Sequence, residues 1–270
     1  MTSSTDSPPV ALSIAGSDSG GGAGIQADLK AMTHRGVHGC TALTALTAQN
    51  SVGVQGIEPV DSGFLRKQIQ SVTSDFDVSA TKTGMLFNES NIRVVVEETD
   101  DLGKLVVDPV MVAESGDSLL EEAAEDALVN ELLPEADLIT PNWTETQHIA
   151  QRLDLSTDEA PSALGETLAE TLQGPAVLVK GGHLEGDEAT DWLINRTGDT
   201  ETFSAERFDT ANTHGSGCVY SSLITAELAK GRTLTEAIRT AKSNLTDAIG
   251  NSYACGEGPG TLNLLRSGKE

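Results

Sequence analysis

Short apolar runs rich in β-branched residues alternate with amphipathic stretches along the chain, the pattern of strand-helix-strand units around a largely parallel sheet. The first run, Val10-Ala-Leu-Ser-Ile14, ends in Gly16 and a Ser/Gly loop, and a helix is predicted from about Gly24 to His34. Two runs then come with no helix between them, Gly39 to Thr47 and Val54 to Val60, which predicts an irregular or antiparallel piece. A helix over Phe64 to Val72 leads to a run from Ala80 to Leu86, and after another helix Lys104-Leu-Val-Val107 reads as a buried strand ending at Asp108-Pro109. A helix near Leu119 to Leu132 precedes Asp137-Leu-Ile-Thr140, which runs into Pro141-Asn142 and a helix onset. Pro175-Ala-Val-Leu-Val179 ends at Lys180-Gly181-Gly182, and Thr190 to Phe208 alternates like two antiparallel strands turning at Asn195 to Asp199. A glycine-rich loop, Thr213-His-Gly-Ser-Gly217, opens a helix to about Lys230, and a last helix covers Leu234 to Ser252.

The expected architecture is a single α/β domain over residues 10–270 behind a disordered tail of residues 1–9. Open α/β sheets bind ligands beyond the carboxyl ends of their strands. The residues there are small or polar: Gly16, Asp108, Thr140-Pro-Asn142 and Lys180-Gly-Gly182 each follow an apolar run. They are expected to converge on one edge, the candidate active site.

Composition narrows the partners. The 270 residues carry 17 Lys+Arg against 41 Asp+Glu, a formal charge of -24, which opposes nucleic-acid phosphates and anionic membranes alike. Neither is an expected partner. An acidic coat with only 3% aromatic residues suits high intracellular salt, so a halophilic source is expected. No apolar run approaches the roughly 18 residues that cross a bilayer, and the polar start, Met1 to Pro9, lacks the features of a signal peptide. A cytoplasmic location is expected. Cys40, Cys218 and Cys255 are an odd number with no Cys-x-x-Cys or Cys/His spacing, which argues against a disulfide scaffold or a zinc site.

Asn212-Thr-His-Gly-Ser-Gly-Cys218 stands between a strand-like stretch and a helix. Consecutive amides at a helix N-terminus, freed by glycines to point one way, make an anion cradle suited to a migrating phosphoryl group. The same helix end is expected to lower the Cys218 pKa; otherwise the segment is a flexible turn and Cys218 a small buried apolar residue. Gly16-Ser-Asp-Ser-Gly-Gly-Gly-Ala-Gly24 lets backbone approach a ligand closely, yet fits neither a P-loop nor a dinucleotide fingerprint. Asp108 and Glu145 supply hard oxygens of the kind that hold magnesium, although each also reads as a turn or first-turn residue. Lys180 at a strand end could contact nucleotide phosphates, although a lone lysine is more often just solvated, and the Gln49 amide could read the edge of a heterocycle, although a polar residue closing a strand is the simpler reading.

Together these segments resemble the hydroxymethylpyrimidine kinase/phosphomethylpyrimidine kinase family of thiamine biosynthesis, within the ribokinase-like superfamily. The markers are Gly21-Gly-Ala-Gly-Ile-Gln-Ala-Asp-Leu-Lys30, Thr47-Ala-Gln-Asn50, Lys82-Thr-Gly-Met-Leu86, Asp108-Pro-Val-Met111, Thr140-Pro-Asn142 with Glu145, Lys180-Gly-Gly-His183 and Asn212 to Cys218. The resemblance implies a ribokinase-like three-layer α/β/α sandwich with a sheet of about nine mostly parallel strands and a small lid. It implies that Gln49 and Asp28 meet the aminopyrimidine and that Gly16, Met85 and Val110 line its pocket. Asp108 and Glu145 would organise Mg2+, and Lys180, Asn142 and Thr213 would serve the ATP nucleotide. The amides of Gly215, Ser216, Gly217 and Cys218 would form the anion hole, with Cys218 where sugar kinases of the superfamily carry an aspartate base. The implied reactions phosphorylate the hydroxymethylpyrimidine and then its monophosphate. A pyridoxal kinase of the same superfamily, or a pyrimidine sensor without catalysis, are the alternatives, and a homodimer is expected.

Overall fold

In the computed structural model, which describes residues 7–111, 120–182 and 184–265, the strand-forming runs meet in one eight-stranded sheet. Strand β1 (Val10–Ala15) lies between β2 (His38–Leu43) and β5 (Val78–Thr83), and all three are parallel. Beyond β5 come β6 (Lys104–Val107), β7 (Leu138–Ile139) and β8 (Ala176–Lys180), also parallel, then the antiparallel pair β9 (Glu188–Ile194) and β10 (Thr200–Glu206). The spatial order is β10-β9-β8-β7-β6-β5-β1-β2. The antiparallel reading of Thr190 to Phe208 is therefore borne out.

Both faces of the central strands are buried, and the alternation of side chains sorts them between two cores. Leu105, Val107, Ile139, Val177 and Val179 point to one face, packed under α2 (Ser62–Thr73), α3 (Glu89–Glu97), α4 (Glu122–Ala127), α5 (Trp143–Arg152) and α6 (Pro161–Leu172). Val106, Leu138, Ala176 and Leu178 point to the other, under α1 (Gly24–His34), α7 (Ser216–Ala229) and α8 (Leu234–Gly250). Helix α7 is sandwiched between the sheet and its neighbours α1 and α8, so it is buried on all sides, from Val219 to Glu227 without a break.

Three expectations change. The sheet has eight strands rather than about nine, because the run from Gly39 to Thr47 breaks at Thr44. That residue is fully buried; its amide donates to the Ala15 carbonyl at 3.1 Å and its hydroxyl to the Met85 carbonyl at 2.7 Å, which turns the chain out of the sheet. The chain continues into a separate antiparallel hairpin, β3 (Ala45–Asn50) and β4 (Gly53–Pro59), the irregular piece expected there. The predicted helix before Leu132 begins at Glu122 and ends in a wide π turn over Leu128–Leu132, and Leu119 lies outside the described residues. The disordered tail falls for residues 1–6 outside the described residues as well, but Pro9 is fixed, since its carbonyl accepts from the His38 amide at 2.9 Å.

Candidate active site

The carboxyl ends of β1, β5, β6, β7 and β8 open into one cleft of about 610 Å³, closed on the far side by the first turn of α7 and on one flank by the β3–β4 hairpin. Gly16, Gln49, Met85, Val110, Asp108, Asn142, Glu145, Lys180, Thr213 and Gly215 to Cys218 all line it. Asp28 does not. It sits fully buried beneath the floor, where its carboxylate takes the Lys82 ammonium at 3.0 Å and the hydroxyls of Ser13 at 2.6 Å and Ser222 at 2.7 Å. Helix α1 turns this residue toward the sheet, so its part is to hold Lys82 at the cleft rather than to meet a ligand.

At the end of β6, Asp108 Oδ1 accepts from Lys180 Nζ at 2.9 Å and from the Thr140 hydroxyl at 3.1 Å, while Oδ2 faces the Ser221 hydroxyl at 3.3 Å. Burial works against this charge, but the Lys180 and Lys82 ammoniums outweigh it and hold the Asp108 carboxyl below its ordinary range. Lys180 is kept charged by the same pairing, against its own burial. Glu145 goes the other way. Burial first, and then the neighbouring Asp108 charge, push its carboxyl up to about 7 against the pull of Lys180 and the Asn142 amide. Asn142 and Glu145 close a capping box on α5: Asn142 Oδ1 accepts from the Glu145 amide at 2.9 Å and Glu145 Oε2 from the Asn142 amide at 2.7 Å. One local motif therefore both starts the helix and fixes a carboxylate at the cleft.

Opposite stands the N-terminus of α7. Its cap, Gly215, has φ 78° and could not carry a side chain, since a Cβ there would lie 2.0 Å from the Gly22 carbonyl oxygen. The Ser216 amide is already spent on the Thr213 carbonyl at 3.0 Å, which takes it out of the four-amide anion hole expected from the sequence. The amides of Gly217 and Cys218 have no intrahelical acceptor and carry the positive end of the helix. A Cβ at Gly217 would stand 3.5 Å from Lys180 Nζ and 3.8 Å from Asp108 Oδ2, so ammonium, carboxylate and helix end share one small volume.

The expected lowering of the Cys218 pKa is overturned. Burial pushes the thiol up to about 11, assisted by the Asp28 and Asp108 charges and opposed by Lys82 and the nearby Gly24 amide. Three groups at the cleft escaped sequence reasoning: Lys82, Asp18, and the buried trio Asp191, Tyr220 and Lys242. Lys82 is a fully buried cation in β5; it stands in a marker segment, but its role was not drawn from it. Asp191 takes Tyr220 at 3.0 Å, Lys242 at 2.6 Å and the Gly181 amide at 3.1 Å, and so braces the turn after Lys180. Nothing local to Asp191 announces that role.

A lysine–aspartate ion pair beside a helix N-terminus, in a cleft that is apolar at one end, suits a phosphoryl group held next to a small ring. The phosphomethylpyrimidine kinase family model matches residues 18–263. The chain belongs to that family. Among its fellow members, the hydroxymethylpyrimidine/phosphomethylpyrimidine kinase of Haemophilus influenzae is 44% identical over 260 residues, covering 93% of this chain and 95% of its own. The crystal structure of the phosphomethylpyrimidine kinase from Clostridium difficile 630 superposes with a TM-score of 0.74 at 38% identity, over 89% of this chain and 99% of that one. An ADP complex of Bacillus subtilis pyridoxal kinase superposes at 0.85 with 36% identity, over 95% and 97%. The ribokinase-like fold expected from the sequence is thus shared with solved kinases. These organisms lend no support to the expected halophilic source. Among the described residues no helix is long and apolar enough to cross a membrane.

Proposed function

We propose that this phosphomethylpyrimidine kinase family member transfers the γ-phosphoryl group of ATP to the hydroxymethyl oxygen of 4-amino-5-hydroxymethyl-2-methylpyrimidine, and then a second to the resulting monophosphate, for thiamine diphosphate biosynthesis. The observation that carries this reading is the meeting of the Gly217 and Cys218 amides with the Lys180–Asp108 pair, beside a pocket lined by Gly16, Gln49, Met85 and Val110. Gln49 can donate to and accept from the ring edge, while Gly16 admits the ring close to the backbone; a Cβ there would lie 2.4 Å from Met85 Cε. The hydroxyl oxygen forms the new bond to the γ-phosphorus, the bond to the β-phosphate oxygen breaks in line, and the amides and Lys180 neutralise the charge on the equatorial oxygens. Cys218, a neutral thiol, cannot take the hydroxyl proton and only hydrogen-bonds the hydroxyl; the proton leaves late, to an oxygen of the transferring phosphoryl group and then to water, when little assistance is needed. Thr213 and Asn142 flank the nucleotide side.

Mg2+ belongs to the same reading. Asp108 and Glu145 are hard oxygen donors on one cleft, and Mg2+ takes one or two carboxylates together with water and substrate phosphates. Among the described residues no group of three or more His, Cys, Asp or Glu forms a cage, so the phosphates would complete the shell. When bound, the cation would supply neutralisation of phosphate charge. A homodimer is also part of this reading, supported by Leu46, Val52, Val54 and Ile57, apolar and exposed on the β3–β4 hairpin.

The experiment is ATP consumption with hydroxymethylpyrimidine, its monophosphate and pyridoxal offered in parallel, products identified by mass. A pyrimidine diphosphate is expected. Pyridoxal phosphate alone would establish the second reading, which the 0.85 TM-score to the pyridoxal kinase favours; pyrimidine binding without ATP turnover would establish a sensor.

A further inference from the structure

The glycine-rich loop after β1 and the loop before α7 come from distant parts of the chain and touch at two points. Gly215 packs against Gly22 so closely that no side chain fits between them. The second contact is a side-chain pair, His214 Nε2 and Asp18 Oδ2, 3.3 Å apart.

Asp18 is built for this. It is 2% exposed, and its carboxylate takes the amides of Gly20 at 2.8 Å, Gly22 at 2.9 Å and Ala23 at 2.8 Å, which wraps the first loop around it. Burial raises its carboxyl pKa, but the hydrogen bonds from His214 and from the Ala23 and Gly20 amides prevail and the net direction is down. An ionised carboxylate only accepts, so Nε2 carries the proton and donates. The His214 ring lies directly over Gly22, where a Cβ would be 2.4 Å from Cδ2. On its other side the His214 amide donates to the Gly260 carbonyl at 3.2 Å. His214 thus stands one residue before the cap of α7, and its side chain is anchored in the loop that lines the substrate end of the cleft.

We infer that the Asp18–His214 pair is a clasp between the two loops, and that His214 is a positioning residue which sets the distance from the substrate hydroxyl to the phosphate cradle. This rests on the kinase reading above. A clasp acts through geometry in the ternary complex, so its loss lowers kcat and leaves nucleotide affinity in place. A misplacement of about 1 Å costs up to on the order of 100-fold in rate.

The test compares His214→Gln, which keeps a side-chain N–H donor, with His214→Met, which has similar bulk and none. His214→Met is expected to lose about 10- to 100-fold in kcat with the KM for ATP and the affinity for ADP within about twofold of the parent, and His214→Gln to recover most of the loss. Equal kcat in the two variants overturns the clasp. A second readout needs no substrate: in the ligand-free protein, amide hydrogen exchange over residues 17–24 and 213–219 should quicken in His214→Met and not in His214→Gln. Exchange that is the same in both overturns the inference whatever the chain phosphorylates, whereas a parent protein that turns over neither pyrimidine nor pyridoxal overturns the kinase reading instead.

Discussion

Cys218 occupies the third position of α7, where the helix end favours a thiolate and the surrounding protein disfavours one. Burial and the Asp28 and Asp108 charges prevail, and the thiol is held up to about 11. The sign matters for chemistry at neutral pH: a pKa raised above the ordinary value leaves the group protonated through the physiological range, so the alkylation rate, which follows the thiolate, must still be climbing about tenfold per pH unit between pH 7 and 9.5. The measurement is the rate of iodoacetamide labelling by mass, in a Cys40→Ser, Cys255→Ser background because Cys255 is exposed and Cys40 partly so. A rate already level by pH 8 would mean that the helix end and Lys82 win. The sequence-based expectation failed here because the helix N-terminus is visible in Gly-Ser-Gly-Cys, while the burying walls come from α1 and the sheet, far away along the chain. Asp28 turned inward for a related reason: it lies in a marker segment, but the ammonium that it holds, Lys82, comes from β5, 54 residues away.

At the scale of elements, the first turn of α7 carries two glycines with different duties. Gly215 has φ 78° and abuts the Gly22 carbonyl, so Gly215→Ala meets both a backbone penalty of about 1–2 kcal/mol and a clash. Gly217 has helical surroundings and room for a methyl group, which would nevertheless stand between the amides and Lys180. Gly215→Ala is therefore expected to lower Tm by several degrees, and Gly217→Ala to keep Tm while kcat falls on the order of 10²-fold; thermal melts beside steady-state kinetics separate the two, and a Gly217→Ala enzyme of full kcat would remove the cradle from the mechanism. Elements with a clean local pattern were legible: α1 over Gly24 to His34 and β6 over Lys104 to Val107 emerge with the predicted limits. The break at Thr44 was not, because the hydrogen bonds that create it run to Ala15 and Met85, distant in sequence. The convergence of Gly16, Asp108, Asn142 and Lys180 was legible because a parallel sheet places every strand's carboxyl end on the same edge.

For the whole molecule the dominant fact is charge, 41 acidic against 17 basic side chains. Surface pairs such as Arg93 with Glu89 and Glu131, or Lys104 with Asp137, offset part of it, but exposed pairs contribute at most about 1 kcal/mol each, and bases are too few to neutralise the acids. Repulsion among the remaining carboxylates opposes the compact state. Added salt weakens both attractions and repulsions, and with repulsions in the majority the net effect is stabilising. The buried Lys82–Asp28 and Lys242–Asp191 pairs lie out of reach of ions and stay intact. Tm is accordingly expected to rise with KCl, most of the gain coming early, since the screening length falls from about 10 Å at 0.1 M to about 3 Å at 1 M and shortens little thereafter. That curvature distinguishes screening from exclusion of salt by apolar surface, which keeps strengthening with concentration. A melting series from 0.05 to about 3 M KCl reads the difference: a curve that falls would show that the surface ion pairs outweigh the repulsion, and a straight rise would assign the gain to the apolar core rather than to the acidic coat.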